Sequence, residues 1–219
     1  MSEPESLATV EALAKHLQRH AYDRLLMLSD GIFAIATTLA ALEIKMPEGA
    51  AMEFGAIMQA MARPIAAYLI SFAVIAVFWV SHRNLFARLR RVDPVVTWLT
   101  LAMLCLVALI PATLDGVYTG HGGTTPFRLY ALTMIACGLS NAMLWLYCAA
   151  RPGLMTPEVG WADRWTRALG SLAMPLVFLP ILFAPLDRFG DTIPPVVVAV
   201  VAIRRIILPR ILARLSRQR

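Results

Sequence analysis

Four stretches of the chain contain no Asp, Glu, Lys or Arg: residues 64–82, 94–114, 129–150 and 168–186. Each is 19–22 residues long, close to the roughly 20 that an α-helix needs to cross the hydrocarbon of a bilayer at about 1.5 Å per residue. Backbone groups in lipid have no water to bond, so such segments satisfy themselves as helices. Two further stretches extend the count. Residues 25–42 are apolar except for Asp30, and residues 192–203 are apolar but short. The last reaches spanning length only by continuing through Arg204 and Arg205 to about residue 208, with the long Arg side chains snorkelling to the headgroups. The sequence therefore predicts an all-α membrane protein of six transmembrane helices. Composition agrees. Hydrophobic residues are 59 % and charged residues 16 % of the chain, against about 45–50 % and about 25 % in soluble domains. This excludes a disordered tail, a secreted disulfide scaffold and an ordinary soluble enzyme.

Breakers mark the connections, at residues 45–49 (KMPEG), 115–126, 151–157 (RPGLMTP) and 187–195. The first 22 residues include Glu3, Glu5, Glu11, Lys15 and Arg19 and hold no apolar core long enough for a secretory signal; they read as a short polar helix. The predicted organisation is a cytoplasmic N-terminal segment over 1–22, a six-helix transmembrane domain over 23–208 and a basic cytoplasmic tail over 209–219. With the N-terminus inside, Lys15, Arg19 and Arg24, the cluster of Arg83, Arg88, Arg90 and Arg91, the group of Arg151, Arg164 and Arg167, and the C-terminal arginines all fall on one side. Only Lys45, Arg63, Arg128 and Arg188 remain outside. Such asymmetry orients a multi-pass protein with both termini in the cytoplasm. The net charge of +6 then reflects membrane orientation, and the basic, amphipathic tail suits an anionic lipid surface. No nucleic-acid partner is expected.

The three cysteines, Cys105, Cys137 and Cys148, all lie in apolar runs and read as small buried hydrophobes. His16 and His20 share a helix face, but no acid or thiol completes a metal site nearby. There is no HExxH, P-loop or Gly-x-Ser-x-Gly pattern. No catalytic residue, metal or cofactor is expected.

Asp30 is the informative polar residue. A carboxylate inside a span costs roughly 2.5–3.5 kcal/mol on insertion scales, and so faces protein or water and takes a partner. Arg24 lies about 240° away around the helix and about 9 Å along it, so the partner belongs to another helix. Trp79, His82 and Asn84 stand at a similar depth on the second span. Two readings stay open, a helix-locking network and a proton relay or ion site. A second feature of the first span is the stripe of Ile35, Leu39 and Leu42, with Thr38 beside it and small residues around it. By spacing alone such a stripe faces lipid or another helix.

The run RLLMLSDGIFAIATTL at residues 24–39 resembles the first-helix signature of the transmembrane-protein-175 family of potassium channels, an Arg followed by Phe-Ser-Asp and an Ala-Ile and Thr-Leu pattern. Arg24, Ser29 and Asp30 match, and Leu28 stands where the family has Phe. Ser71-Phe72 and Phe78-Trp79-Val80-Ser81-His82 are similar to the family's second-helix pattern. Thr100 stands where the family has Asn, and nothing is carried over there.

The resemblance implies a homotetramer in the bacterial inner membrane, with the first helices of four subunits lining a central pore. It implies a modestly potassium-selective cation channel, whose constriction is formed by apolar rings of Ile35, Leu39 and Leu42 with a hydroxyl layer at Thr38. By the same resemblance Arg24, Ser29, Asp30, Trp79 and His82 form a hydrogen-bond network supporting the pore helix. The partners are then further copies of the chain, membrane lipids and the permeant potassium ion. A proton-coupled secondary transporter using Asp30 and His82 is the alternative. It finds no internal repeat in its favour, since nothing in residues 126–208 echoes Ser29-Asp30.

Overall fold

A computed structural model describes residues 3–42, 44–45, 53–113 and 124–183. Among them the fold is helical, with helices α1 (Glu3–Leu42), α2 (Phe54–Phe86), α3 (Pro94–Ala108), α4 (Thr125–Ala150), α5 (Trp161–Ser171) and α6 (Ala173–Phe183). Five segments are long and apolar enough to cross a membrane: His16–Leu42, Pro64–Phe86, Pro94–Thr113, Thr125–Ala150 and Trp161–Phe183. The predicted sixth span, residues 192–208, lies outside the described residues.

Two boundaries differ from the sequence expectation. The polar N-terminal segment and the first span are one continuous 40-residue helix, because no Gly or Pro separates Glu5 from Asp30. The fifth span begins at Trp161 rather than 168, and it is two helices with a break at Leu172. The charges at Asp163, Arg164 and Arg167 hid its first two turns from a count of uncharged residues.

Local chemistry sets the ends. The Asp93 side chain caps α3 by accepting from the Val96 N–H at 2.8 Å, and Pro94 opens the helix, where its missing N–H is one of the unpaired ones in any case. The second carboxylate oxygen of Asp93 accepts from the Tyr147 hydroxyl at 2.7 Å, which ties this cap to α4. After α4 the chain turns at Gly153 with φ +78°, a conformation that favours glycine. It then forms a two-residue antiparallel bridge, Leu89 to Met155. The Arg90 N–H donates to the Leu154 carbonyl at 2.8 Å, and the Thr156 N–H to the Arg88 carbonyl at 2.9 Å.

Helix α4 is the hub. It packs against α3, α5, α6 and α2, and half of its 26 residues are buried. Its approach to α6 is close at Gly138, where a Cβ would lie 2.5 Å from Pro175 Cδ and 2.9 Å from Pro175 N. Helix α1 is peripheral. It packs on α2 and α3, and of its span only Leu25, Ser29, Phe33, Ala36 and Ala40 are buried.

Candidate functional site

Helix α1 has two unlike faces. Leu25, Ser29, Phe33, Ala36 and Ala40 are buried, and their steps of four, four, three and four residues keep them on one side of the helix. They carry the packing against the rest of the protomer. The other side is left uncovered. Ile35 is 58 %, Leu39 43 % and Leu42 73 % exposed, and Gly31, Ala34 and Thr38 are exposed among them. The stripe singled out in the sequence is therefore a surface of the protomer rather than part of its core.

Thr38 has a directed hydroxyl. Its Oγ1 lies 2.9 Å from the Ile35 carbonyl and 3.2 Å from the Ala34 carbonyl. The hydroxyl hydrogen is committed to the helix backbone, so the lone pairs of the oxygen remain available as acceptors. Thr37 behaves in the same way toward Ala34, at 2.8 Å.

Behind this face, Asp30 takes its partner from α2. Trp79 Nε1 donates to Asp30 Oδ1 at 2.8 Å, and the Arg83 guanidinium sits 5.0 Å from the centre of the Trp79 ring. The indole thus holds a carboxylate at its edge and a cation on its face, the two electrostatic preferences of an aromatic ring. His82 is buried, and its ring stacks on Phe86 at 4.2 Å and lies against Phe33 at 5.9 Å. Tyr22 continues this aromatic column at 5.6 Å from Phe86, and its hydroxyl donates to the Phe86 carbonyl at 2.8 Å. The His82 Nε2 atom has no hydrogen-bond partner among the described residues.

The five residues of the expected network therefore occupy different settings. Asp30 and Trp79 are bonded to each other. Ser29 is buried and bonds the Leu25 carbonyl of its own helix at 2.8 Å. His82 is held by ring contacts. Arg24 is exposed, and none of the described hydrogen bonds involves it. Sequence reasoning did not anticipate Arg83 over Trp79, or the polar link between α2 and α4. In that link Ser81 donates to Asn141 Oδ1 at 3.2 Å and accepts from Trp145 Nε1 at 3.0 Å. The signal available was Asn141 and Trp145, four apart inside an uncharged run. Among the described residues no cluster of His, Cys, Asp or Glu could hold a metal ion.

The family profile described as endosomal/lysosomal potassium channel TMEM175 matches residues 24–111, the stretch that contains this face and its supporting helices. A Streptomyces collinus protein named a potassium channel is 36 % identical over 170 residues, covering 72 % of this chain and 82 % of that protein. A Danio rerio protein named endosomal/lysosomal proton channel TMEM175 is 25 % identical over 179 residues, 80 % of this chain but 34 % of that longer protein. The crystal structure of a lysosomal potassium-selective channel TMEM175 homologue from Chamaesiphon minutus shares the fold. Its TM-score is 0.68 at 23 % identity, over 84 % of this chain and 95 % of that one. This multi-pass helical membrane protein belongs to the TMEM175 family.

Proposed function

We propose that the chain is the subunit of a homotetrameric cation channel of the bacterial inner membrane, conducting potassium with modest preference over sodium. The pore is lined by the exposed face of α1, and Ile35, Thr38, Leu39 and Leu42 form its constriction. The observation that carries this reading is the uncovered side of α1. It presents an apolar stripe of Ile35, Leu39 and Leu42 with a hydroxyl layer at Thr38. The small residues Gly31 and Ala34 on the same side let a helix of another subunit approach closely. The potassium-channel names of the bacterial relatives point the same way.

An apolar ring gates by dewetting. A cation passing it sheds part of its water, and potassium holds water less tightly than sodium. Thr38 oxygens, with their hydrogens turned to the backbone, replace some of the lost ligands without binding strongly. Planar-bilayer reversal potentials under opposed potassium and sodium gradients test the selectivity; a reversal at zero contradicts it. Ile35→Asn wets the constriction, and current is expected to rise several-fold.

The proton-coupled transporter has less support. No described hydrogen bond joins Asp30 to His82, and Asp30 is engaged by Trp79 instead. The animal relatives are named proton channels. A pH gradient imposed in the same bilayer experiment tests whether protons share the pore.

A further inference from the structure

We infer that a second site, a basic cleft on the arginine-rich face of the protomer, binds a phosphate-bearing anion. A cavity of about 790 Å³ opens between α1 and the turns that follow α2 and α4, lined among others by Arg19, Tyr22, Asp23, Arg90, Arg91 and Gly153. Three guanidiniums against one carboxylate give it a net positive charge.

Topogenic arginines crowd this side of many membrane proteins, so charge alone makes no site. Two features separate these three from their neighbours. First, three of the neighbours are committed. Arg88 bonds Asp163 and the Asn84 carbonyl, Arg167 bonds Asp163, and Arg164 bonds the Val159 carbonyl. The side chains of Arg19, Arg90 and Arg91 have no bonded acceptor among the described residues. Second, the walls are fixed. The Tyr22 hydroxyl ties α1 to the last turn of α2, and the Leu89–Met155 bridge ties the turn after α2 to the turn after α4. Gly153 has no side chain to fill the space beside Arg91, whose terminal nitrogen would lie 3.8 Å from a Cβ there.

The α2 span ends at Phe86 and the α3 span begins at Pro94, so Arg90 and Arg91 stand at the headgroup layer. Guanidiniums lining one cleft suit a phosphate group, which they bind by paired charge-assisted hydrogen bonds. The phosphate reaches this depth on an anionic phospholipid or free in solution.

The test uses the full chain in phosphatidylcholine nanodiscs. The melting transition is followed while dihexanoyl phosphatidic acid or inorganic phosphate is added. Melting is expected to rise with the short-chain lipid. Arg90→Gln and Arg91→Gln should each weaken the apparent affinity roughly ten-fold, the loss of one charge-assisted hydrogen bond. Arg167→Gln removes the same charge from the same side and should leave the affinity unchanged. A matching response to inorganic phosphate assigns recognition to the phosphate itself; a response to the lipid alone assigns it to a headgroup. Either result supports the site. No shift with either compound, or equal weakening by Arg167→Gln, overturns it. The readout is independent of conduction, so it stands or falls apart from the channel reading.

Discussion

Thr100 and His82 are the two residues that leave a buried side-chain polar atom without a partner among the described residues. A buried hydroxyl with no acceptor is a liability of about 1–3 kcal/mol, whereas an isosteric apolar group at the same place has none. Thr100→Val is therefore expected to keep the fold and stabilise the protomer by about 1 kcal/mol, read as a higher melting temperature in detergent. A clear destabilisation would show that Thr100 is satisfied within the membrane. Asp30 and Trp79 are the opposite case. Trp79→Phe keeps an aromatic ring but removes the donor, and it should cost about 1–3 kcal/mol. Asp30→Asn in that background removes the charge left behind and should recover part of the loss, so a double-mutant cycle gives a coupling near 1 kcal/mol or more. Additive effects would separate the two residues. That Asp30 reaches across to α2 was legible from the sequence, because the cost of a carboxylate in a span and the angle to Arg24 leave few alternatives. Which donor it meets was not legible. Trp79 and His82 are three residues apart, only about 60° around the helix, so a modest rotation of α2 exchanges them. Packing fixes that rotation, with His82 turned inward between Phe33 and Phe86.

At the scale of elements, uncharged length located the helices, and side-chain size decided how closely they approach. Gly138 permits the contact between α4 and α6: a Cβ there meets both the ring and the backbone nitrogen of Pro175, and backbone does not yield as a flexible side chain does. Gly138→Ala is expected to cost about 1–3 kcal/mol by overpacking, measured as a lower melting temperature. Gly31 on α1 has nothing within 4 Å, and Gly31→Ala should leave the protomer's stability unchanged or slightly raise it through helix propensity. The sequence shows both glycines inside apolar helices and offers no means of telling them apart, because the difference lies in a partner more than thirty residues away. The same limit applies to the fifth span. Its break at Leu172 sits between Ser171 and Met174-Pro175, where the proline lacks the N–H that a continuous helix would use. The sequence holds that proline, yet α2 and α6 carry Pro64 and Pro180 within unbroken helices. The proline alone therefore does not mark the break.

At the scale of the whole molecule, the uncovered face of α1 makes the proposed assembly measurable. If four copies meet around an axis lined by this face, the Ile35 side chains of neighbouring subunits approach one another, while residues such as Leu176, 64 % exposed on α6, look elsewhere. A disulfide requires its Cβ atoms about 4 Å apart, so oxidation reports the approach directly. Cys105 is exposed, and Cys137 and Cys148 are buried; Cys105→Ala therefore removes the accessible native thiol and leaves the core untouched. In that background Ile35→Cys is expected to form cross-linked dimers of subunits on mild oxidation in native membranes, and Leu176→Cys to remain largely monomeric. Gly31→Leu, which meets open space within the protomer, should reduce the Ile35→Cys cross-link without lowering the melting temperature of the isolated subunit, because small residues let helices of different chains come close. Cross-linking through Leu176→Cys but not Ile35→Cys would turn the stripe outward to lipid and remove the basis for a pore along α1.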